Sequence, residues 1–435
     1  MGVSIPVNTA SSSPSSTGKK SFADMFRTAD GRSYAIPFML VCTLFFLWGF
    51  TNGMLDVLNK QFQNSLGLSK SQSGLVQSAN FIAYFFMALP AGLLAKRYGY
   101  KGGIVLGLIL VACGAFWFMP ATKIGTFPAF LAGIFILASG VTCLETIANP
   151  YSTVLGPPDM AAARINMAQT LNGVGLVFGP MGGSFFLSST HEVNRSNANV
   201  FIPYAGVGLL AVLLVALFVK AKVPDVHAQE DAKAERTGKS SVSLWSRPHF
   251  VLAVVSQFLY VGVQSAIWGF FINYIVAEMP TLGYHPSDSD ASRLLQLGFI
   301  LFLVGRAVGS MVLRVFKPHM VLGTYAVIGT VLSLLVTQQL GWASVISLFG
   351  TFFLMSLMFP TIFSLGIQGL GEHTKQASSF IVMAIVGGAV TPPLMGMLAD
   401  AVSMRASFFI PVLCFAGIAA YGLGWKKLHD RSANV

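Results

Sequence analysis

The sequence predicts an all-α membrane protein in which twelve transmembrane helices form two pseudo-symmetric halves of six. Three observations predict this architecture: a strongly apolar composition, twelve apolar segments of membrane-spanning length, and motifs of the first half that recur in the second. Of the 435 residues, 54% are hydrophobic and 10% are charged, with a mean hydropathy of +0.69, whereas about 25% are charged in a soluble domain. No obvious room remains for an enzymatic domain.

Each apolar segment predicts one crossing, because a transmembrane helix needs about 20 mostly apolar residues. The net charge of +11 is interpreted by position, since Lys and Arg concentrate in cytoplasmic loops. With the N-terminus inside, 20 of the 27 Lys and Arg are cytoplasmic, 6 are external and Arg306 is within a span. Both termini are therefore expected in the cytoplasm. The segments lie near 35–60, 73–95, 102–120, 126–151, 164–188, 200–220, 249–276, 294–313, 320–338, 344–369, 377–399 and 406–425.

This topology divides the chain into five parts. They are a disordered cytoplasmic tail, an N-terminal half, a polar cytoplasmic linker, a C-terminal half and a short cytoplasmic tail, at residues 1–34, 35–220, 221–248, 249–425 and 426–435. Motifs recur between the halves at offsets of 210 to 213, as in Phe46-Leu-Trp with Phe258-Leu-Tyr and Gly175-x-x-x-x-Pro with Gly388-x-x-x-x-Pro. Duplicated halves are typical of transporters that bind substrate between them near the bilayer midplane. A channel is less consistent with the sequence, which has no filter-like loop.

Two acidic residues, Asp56 and Glu145, lie clearly inside predicted spans. An ionised group there costs at least about 2.5 to 3.5 kcal/mol, so each predicts a functional site. Asp56 is placed in the outer half of helix one and Glu145 in the inner half of helix four, which suits a two-step proton route. The alternatives are an interfacial salt bridge of Asp56 with Lys60, one turn away, and a structural role for Glu145. Arg306 is interpreted as part of a cytoplasmic gate or as a snorkelling base, not as a substrate ligand.

Amide side chains are frequent within the spans. Because an amide both donates and accepts hydrogen bonds, such a lining favours a neutral polyhydroxylated ligand over an ion or a drug. Trp268 shares a helix face with Gln264 and is suited to stacking on a sugar ring. The alternative for each amide is a hydrogen bond between helices. The amides are Asn52, Gln77, Asn80, Asn149, Gln169, Asn172, Gln257, Gln264 and Asn273.

Several motifs resemble the fucose permease branch of the major facilitator superfamily over about residues 35–425. The most specific are Cys143-Leu-Glu-Thr-Ile-Ala-Asn-Pro and Phe359-Pro-Thr-Ile-Phe-Ser-Leu-Gly, and Asn166-Met-Ala-Gln-Thr-Leu-Asn also matches. The resemblance implies a proton-coupled sugar importer that works by alternating access. It implies that Asp56 and Glu145 take part in proton coupling and sugar binding. It further implies that Gln169 and Asn172 line the sugar cavity.

The related glucose and galactose branch tends to carry a glutamine at the position of Glu145, so this acid favours the fucose-like branch. Four positions depart from the fucose permease pattern, which has asparagines at Gly53 and Leu55, an aromatic hydroxyl at Phe359 and an arginine at Asn273. A site that pairs hydroxyls discriminates by those pairings, so these changes bear on which sugar fits.

The expected function is import of a neutral monosaccharide, L-fucose or a related hexose, with protons across a bacterial inner membrane. The alternatives are a glucose/galactose or N-acetyl-hexosamine importer and a proton-driven drug or metabolite antiporter. Proton coupling is assigned to Asp56 and Glu145. Substrate binding is assigned to Asn52, Gln77, Asn149, Gln169, Asn172, Gln264, Trp268 and Asn273.

The expected partners are the monosaccharide, the proton as coupling ion and the lipid bilayer. No other cofactor, no metal and no nucleic acid are expected, and the chain is expected to be monomeric. The four cysteines lie in apolar runs without paired spacing, which indicates neither a disulfide framework nor a metal site; they are Cys42, Cys113, Cys143 and Cys414.

Overall fold

The computed structural model of the chain describes residues 22–27, 32–66, 70–188, 201–221 and 243–433. Within these ranges it does not describe the side chains at 22–23, 56–66, 70–75, 77–78, 180, 182–188, 288–289, 292, 372 and 433. Most of the expected N-terminal tail and of the expected linker lies outside the described residues.

The described chain is helical almost throughout, since a helix satisfies its own backbone groups in a lipid environment that cannot. The N-terminal half comprises α1 (Ala35–Leu66), α2 (Lys70–Ile124), α3 (Phe127–Val154), α4 (Ala161–Ser188) and α5 (Phe201–Lys220). The C-terminal half comprises α6 (Pro248–Glu278), α7 (Asp288–Val312), α8 (Pro318–Thr337), α9 (Trp342–Met355), α10 (Met358–Ile367), α11 (Thr374–Met383), α12 (Gly387–Ala401), α13 (Met404–Ser407) and α14 (Phe409–Ala433).

These helices make twelve crossings. Ten stretches of described residues are long and apolar enough to span a membrane, and one of them, Ala79–Ile124, has 46 residues and contains two crossings. The chain turns between those two at Gly99, whose φ of 71° favours glycine. Helix α4, with 28 residues, supplies the remaining crossing. The predicted fold class of twelve helices in two halves of six is confirmed.

The internal repeat is visible as a repeated helix contact. A Cβ atom added to Gly175 would lie 2.4 Å from the main-chain oxygen of Phe46, and one added to Gly387 would lie 2.1 Å from that of Phe258. Phe258 follows Phe46 by 212 residues, and Gly387 follows Gly175 by the same number. The structural counterpart of Gly175 is thus Gly387, one residue before the sequence match at Gly388. In each half, two helices touch backbone to backbone at equivalent positions.

The two halves are joined on one side of the bundle, the terminal side, where α3 and α14 end and α4 and α6 begin. There Ser378 Oγ donates to the carbonyl oxygen of Thr146 at 2.6 Å. Asn166 Nδ2 donates to Thr361 Oγ1 at 3.3 Å. These bonds connect α3 and α4 of the first half with α11 and α10 of the second. The described arrangement therefore holds the terminal side together.

A short segment before the first span also packs on the terminal side. Phe22–Phe26 forms a single 3-10 turn, and the Phe26 ring lies 5.0 Å from that of Phe38 in α1. The buried side chain of Arg164 donates to the Met25 carbonyl at 3.0 Å. It also donates to carbonyls at the end of α3, including that of Ser152 at 3.2 Å. Arg164 thus ties this segment to the helix ends behind it.

On the opposite side, α7 begins with a reciprocal capping box. Ser287 Oγ accepts from the Asp290 amide at 3.2 Å, and the Ser287 amide donates to the Asp290 carboxylate at 3.1 Å. The hydrogen bonds from Ser287 lower the pKa of Asp290 below its usual value. A capping box satisfies two helix-end donors, so this contact fixes where α7 starts.

Candidate substrate and proton site

Glu145 lies in the part of α3 that other helices enclose completely. Its side chain is 1% exposed, and the described residues on either side of it from Leu137 to Thr153 are also buried. The Glu145 carboxyl interacts electrostatically with Tyr84 of α2 and Arg306 of α7. Neither of its oxygens makes a hydrogen bond of normal length and angle to a described residue. A buried acid without such bonds is costly to keep ionised.

Arg306 joins the two halves at the same place. Its side chain is 4% exposed, and its Nη1 donates to the main-chain and side-chain oxygens of Gln169 at 2.6 and 2.9 Å. The same nitrogen donates to Oδ1 of Asn172 at 3.1 Å. Its Nε donates to the Ser356 carbonyl at 3.2 Å, within the second half. A base of the C-terminal half therefore binds the amides that the sequence assigns to the sugar cavity.

The remaining amide atoms extend this network through the first half. Gln169 Nε2 donates to Asn149 Oδ1 at 3.3 Å, and Asn172 Nδ2 donates to the Phe45 carbonyl at 3.4 Å. All three amides are at most 3% exposed. Asn149 Nδ2 has no hydrogen-bond partner among the described residues. The network thus fixes which way each amide points and leaves one donor available.

The charged and amide groups share one depth in the membrane. Glu145 is nine residues before the end of α3, Gln169 eight after the start of α4, and Arg306 six before the end of α7. At 1.5 Å per residue these positions lie about 14, 12 and 9 Å inside the terminal-side helix ends. Three helices from two halves therefore present polar side chains to one buried layer.

Aromatic rings surround this layer. The centre of the Trp268 ring lies 5.0 Å from the centre of the Phe299 ring and 5.3 Å from that of Phe302. The Arg306 guanidinium lies 4.6 Å from the centre of the Phe302 ring. The centre of the Phe359 ring lies 6.4 Å from that of Trp48 in α1 and 6.1 Å from that of Tyr260 in α6. Such rings lower the local polarity and offer flat faces to a sugar ring.

Comparison with known proteins identifies the family. Residues 39–385 match the Major Facilitator Superfamily. The chain belongs to this superfamily. Its members are transporters, so the chain is a transporter and not an enzyme.

Similar members of the superfamily identify the branch. The chain is 39% identical over 410 residues to the L-fucose-proton symporter of Escherichia coli K12, covering 89% of this chain and 92% of that protein. It is 36% identical over 403 residues to the glucose/galactose transporter of Brucella abortus biovar 1, covering 92% and 96%. A crystal structure of the transporter FucP in the outward conformation is similar with a TM-score of 0.79 at 37% identity, covering 91% and 99%. The resemblance to the fucose permease branch is confirmed.

The structure places the other predicted site residues of this transporter differently. Asn52 is half-buried and interacts with Tyr84, and Gln264 is half-buried on the helix of Trp268. Asn273 is exposed and follows Gln264 by nine residues, which puts it on the opposite face of α6 at 100° per residue. The structure does not bring Asn273 to the buried network. The side chains of Asp56, Gln77 and Lys60 lie outside the described residues.

Two members of the site were not assigned from the sequence. Arg306 is the one base away from the ends of the predicted spans, but its snorkelling interpretation is wrong because the side chain is buried and bonded across the halves. Its isolation among apolar residues was the available signal. Tyr84 contributes only a hydroxyl within an apolar helix, and such a residue is typical of helix packing as well as of sites.

A separate cavity of about 890 Å³ lies between the halves at the terminal side. Its lining includes Asp159 from the first half and Arg314, Lys317, His319 and Trp425 from the second. None of the predicted site residues whose side chains the structure describes lines it. The polar layer and this cavity are therefore two distinct places, separated by the contacts that hold the terminal side together.

Proposed function

We propose that this protein is a proton-coupled symporter that imports a neutral monosaccharide by alternating access. The observation that carries the proposal is the buried Glu145 carboxyl, which interacts with Tyr84 and Arg306 but makes no hydrogen bond of normal length and angle to a described residue. It lies in one buried layer with Arg306, Gln169 and Asn172. An acid that can take up a proton, beside amides that can pair with hydroxyls, meets both requirements of such a symporter. The relatives named L-fucose-proton symporter and glucose/galactose transporter support the same class.

The contacts of Arg306 suggest how the two substrates act together. In the described arrangement its guanidinium occupies side-chain oxygens of Gln169 and Asn172, and so ties the halves on the terminal side. Sugar hydroxyls that bind these amides compete for the same oxygens. A proton on Glu145 removes the negative charge that faces Arg306. Sugar and proton together therefore weaken the tie, and the equilibrium shifts toward opening of the terminal side.

The sidedness of this cycle rests on charge. Lys and Arg are concentrated in the loops of the terminal side, which we assign to the cytoplasm of a bacterial cell. Opening of the terminal side then releases sugar and proton inward. In this scheme Asp56, nearer the outer end of α1, is the acid that meets the incoming proton, and Glu145 is the inner one. We assign the monomer as the working unit.

The sugar is L-fucose or a related hexose. The first alternative is glucose or galactose, because relatives named for L-fucose and for glucose and galactose are similar at nearly the same identity, 39% and 36%. The second alternative is an N-acetyl-hexosamine. Exchange of labelled sugar across vesicles preloaded with each unlabelled candidate ranks them directly. A drug antiporter is indicated instead if no sugar exchanges and expression confers efflux of apolar cations.

The decisive experiment is uptake of labelled monosaccharides into vesicles containing the purified chain, with and without an inward proton gradient. Accumulation against a concentration gradient only when the proton gradient is present supports the proposal. Accumulation that needs sodium, or that is independent of any gradient, contradicts the proton coupling. The Asp56→Asn variant is expected to lose accumulation. Asp400→Asn, an exposed acid at the end of α12, is the matched control and is expected to keep it.

A further inference from the structure

A groove of about 460 Å³ lies on the outside of the bundle between α6 and α14, near the terminal side. One wall is formed by Leu252, Val255 and Leu259 of α6, at helical spacing. Leu252 and Val255 are 39% and 48% exposed, so this wall faces the surroundings of the bundle and not its core. In a membrane those surroundings are lipid acyl chains. The groove is therefore an apolar channel open to the bilayer.

The second wall of the groove, formed by α14, is lined by small residues. Gly417, Ala420 and Gly424 of α14 line it at spacings of three and four residues, which places them on one helix face. A Cβ atom added to Gly424 would meet no atom within 4 Å. The groove thus exists because side chains are missing from this face of α14, next to the large apolar side chains of α6.

Two bases close the groove at its terminal-side end. Lys427 and Arg431 continue the same face of α14 by one turn each, line the groove and are exposed. Neither forms an ion pair with a carboxylate in the part of the chain that the structure describes. Asp430 is the acid of this helix end, but it does not line the groove. Among the residues that the structure describes, the charged lining is therefore purely positive.

Polar groups lie beneath the bases. Ser256 and Tyr421 line the groove and are each 3% exposed. The Tyr421 hydroxyl lies near Trp425, but it has no hydrogen-bond partner of normal geometry among the described residues. The groove is therefore positive at its terminal-side end and mainly apolar along the rest of its length, with two buried polar groups in its lining, which suits a phospholipid with a charged headgroup and an apolar tail.

The length of the groove fits one lipid leaflet. From Arg431 to Gly417 the α14 wall spans fourteen residues, or about 21 Å. One leaflet contributes about 15 Å of hydrocarbon, and its headgroups add several more. The two bases thus lie at headgroup level when the rest of the groove lies among the acyl chains. Basic residues in this position recognise the phosphate of an anionic lipid.

We propose that the α6–α14 groove binds one anionic phospholipid, with the headgroup phosphate between Lys427 and Arg431 and an acyl chain along Leu252, Leu259 and Gly417. The site is separate from the sugar site and does not depend on the proposed transport function. It is a lipid site on the terminal-side leaflet, whose specificity comes from charge at one end and shape at the other.

Native mass spectrometry of the full chain in detergent tests this site by titration with phosphatidylglycerol or with phosphatidylcholine of the same acyl chains. Phosphatidylglycerol is expected to bind at least ten-fold more tightly. Since each basic residue at a membrane surface contributes about 1 kcal/mol, the Lys427→Gln/Arg431→Gln variant is expected to lose about thirty-fold in affinity. The matched control is Lys220→Gln/Lys426→Gln, which removes two exposed bases outside the groove and is expected to change affinity less than three-fold.

A second variant tests the apolar part of the site. Gly424→Leu places a side chain in the open groove, so it is expected to displace the lipid without lowering the thermal midpoint of the protein. Equal binding of the two lipids, or binding that neither variant weakens, overturns the proposal. Displacement of the lipid by inorganic phosphate alone, in roughly a hundred-fold excess over the lipid, identifies a phosphate site instead. A dimer mass that appears as lipid is lost identifies a second copy as the occupant.

Discussion

Arg306 Nη1 lies 2.9 Å from Oε1 of Gln169, although the two residues belong to different halves of the transporter. The same nitrogen also bonds the Gln169 main-chain oxygen at 2.6 Å. A single base of the C-terminal half is thus held by a residue that lines the proposed sugar site in the N-terminal half. This contact links occupancy of the site to the position of the two halves, which is the coupling that alternating access requires.

Removal of the Arg306 charge is expected to abolish accumulation. A hydrogen bond to a charged group contributes about 1.5 to 3 kcal/mol, so Arg306→Gln weakens the terminal-side tie and leaves Gln169 and Asn172 without their fixed orientation. We expect gradient-driven uptake to fall at least ten-fold, as measured in proteoliposomes. Arg306→Lys keeps the charge but not the fork of donors, and is expected to recover only part of the loss.

Arg293→Gln is the control for this prediction. Arg293 lies near the start of the same helix, its side chain is 78% exposed, and its ion pair with Asp290 is long at 3.9 Å. Such surface pairs contribute little. Full uptake by Arg306→Gln, or equal loss in both variants, contradicts a role specific to Arg306.

Glu145→Gln is expected to separate sugar exchange from proton coupling. The amide resembles the protonated acid in size and charge, so sugar still binds and exchanges across the membrane. Because the amide cannot release a proton, accumulation against a gradient is lost. Exchange into preloaded vesicles and gradient-driven uptake, measured on the same preparation, distinguish the two. Glu278→Gln, at the end of α6 away from the terminal side, is the matched control. A Glu145→Gln protein that still accumulates sugar removes this acid from the mechanism.

The twelve crossings were predictable because hydropathy and charge distribution report directly on the membrane. The inner position of Glu145 followed from counting residues along its helix, and the shared face of Gln169 and Asn172 followed from their spacing of three residues. The structure buries all three side chains. The faces of α6 were also available from counting, since nine residues separate Gln264 from Asn273 and turn the helix by a half-turn. Assigning both to one site overlooked that period.

The position of the Arg306 side chain was not predictable in the same way. A long base near a helix end either extends to the interface or turns inward, and the choice depends on acceptors supplied by another helix. Those acceptors are Gln169 and Asn172, which are more than 130 residues away in sequence. The repeat between the halves did not reveal the contact of Arg306 with these two amides. That contact joins α7 to α4, which are not equivalent helices in the two halves.

Gly49 is expected to tolerate no side chain. A Cβ atom there would lie 2.0 Å from the main-chain oxygen of Asn172, so Gly49→Ala forces α1 and α4 apart and displaces a proposed sugar ligand. Overpacking of this kind costs about 1 to 3 kcal/mol. We expect a lower thermal midpoint and a weaker apparent affinity for sugar. Gly269→Ala, whose added Cβ would meet no atom within 4 Å, is the control and is expected to change neither.

A disulfide between positions 92 and 379 is expected to lock the terminal side. A Cβ atom added to Gly92 would lie 3.1 Å from Cβ of Ser379, and disulfides need about 3.5 to 4.5 Å, so a small shift suffices. The Gly92→Cys/Ser379→Cys pair, in a Cys113→Ser background, should therefore transport when reduced and stop when oxidised. Each single cysteine variant is the control. Uptake that persists after complete oxidation shows that α2 and α11 need not separate there.

Gln257 provides a test of stability that is independent of transport. Its side chain is fully buried in α6, and neither amide atom has a hydrogen-bond partner among the described residues. Burial of an unpaired amide costs about 1 to 3 kcal/mol, so Gln257→Leu removes a penalty while nearly keeping the volume. We expect the thermal midpoint to be unchanged or raised and uptake to be retained. A lower midpoint shows that Gln257 is paired in the protein, and loss of uptake at an unchanged midpoint shows that another state of the transport cycle uses it.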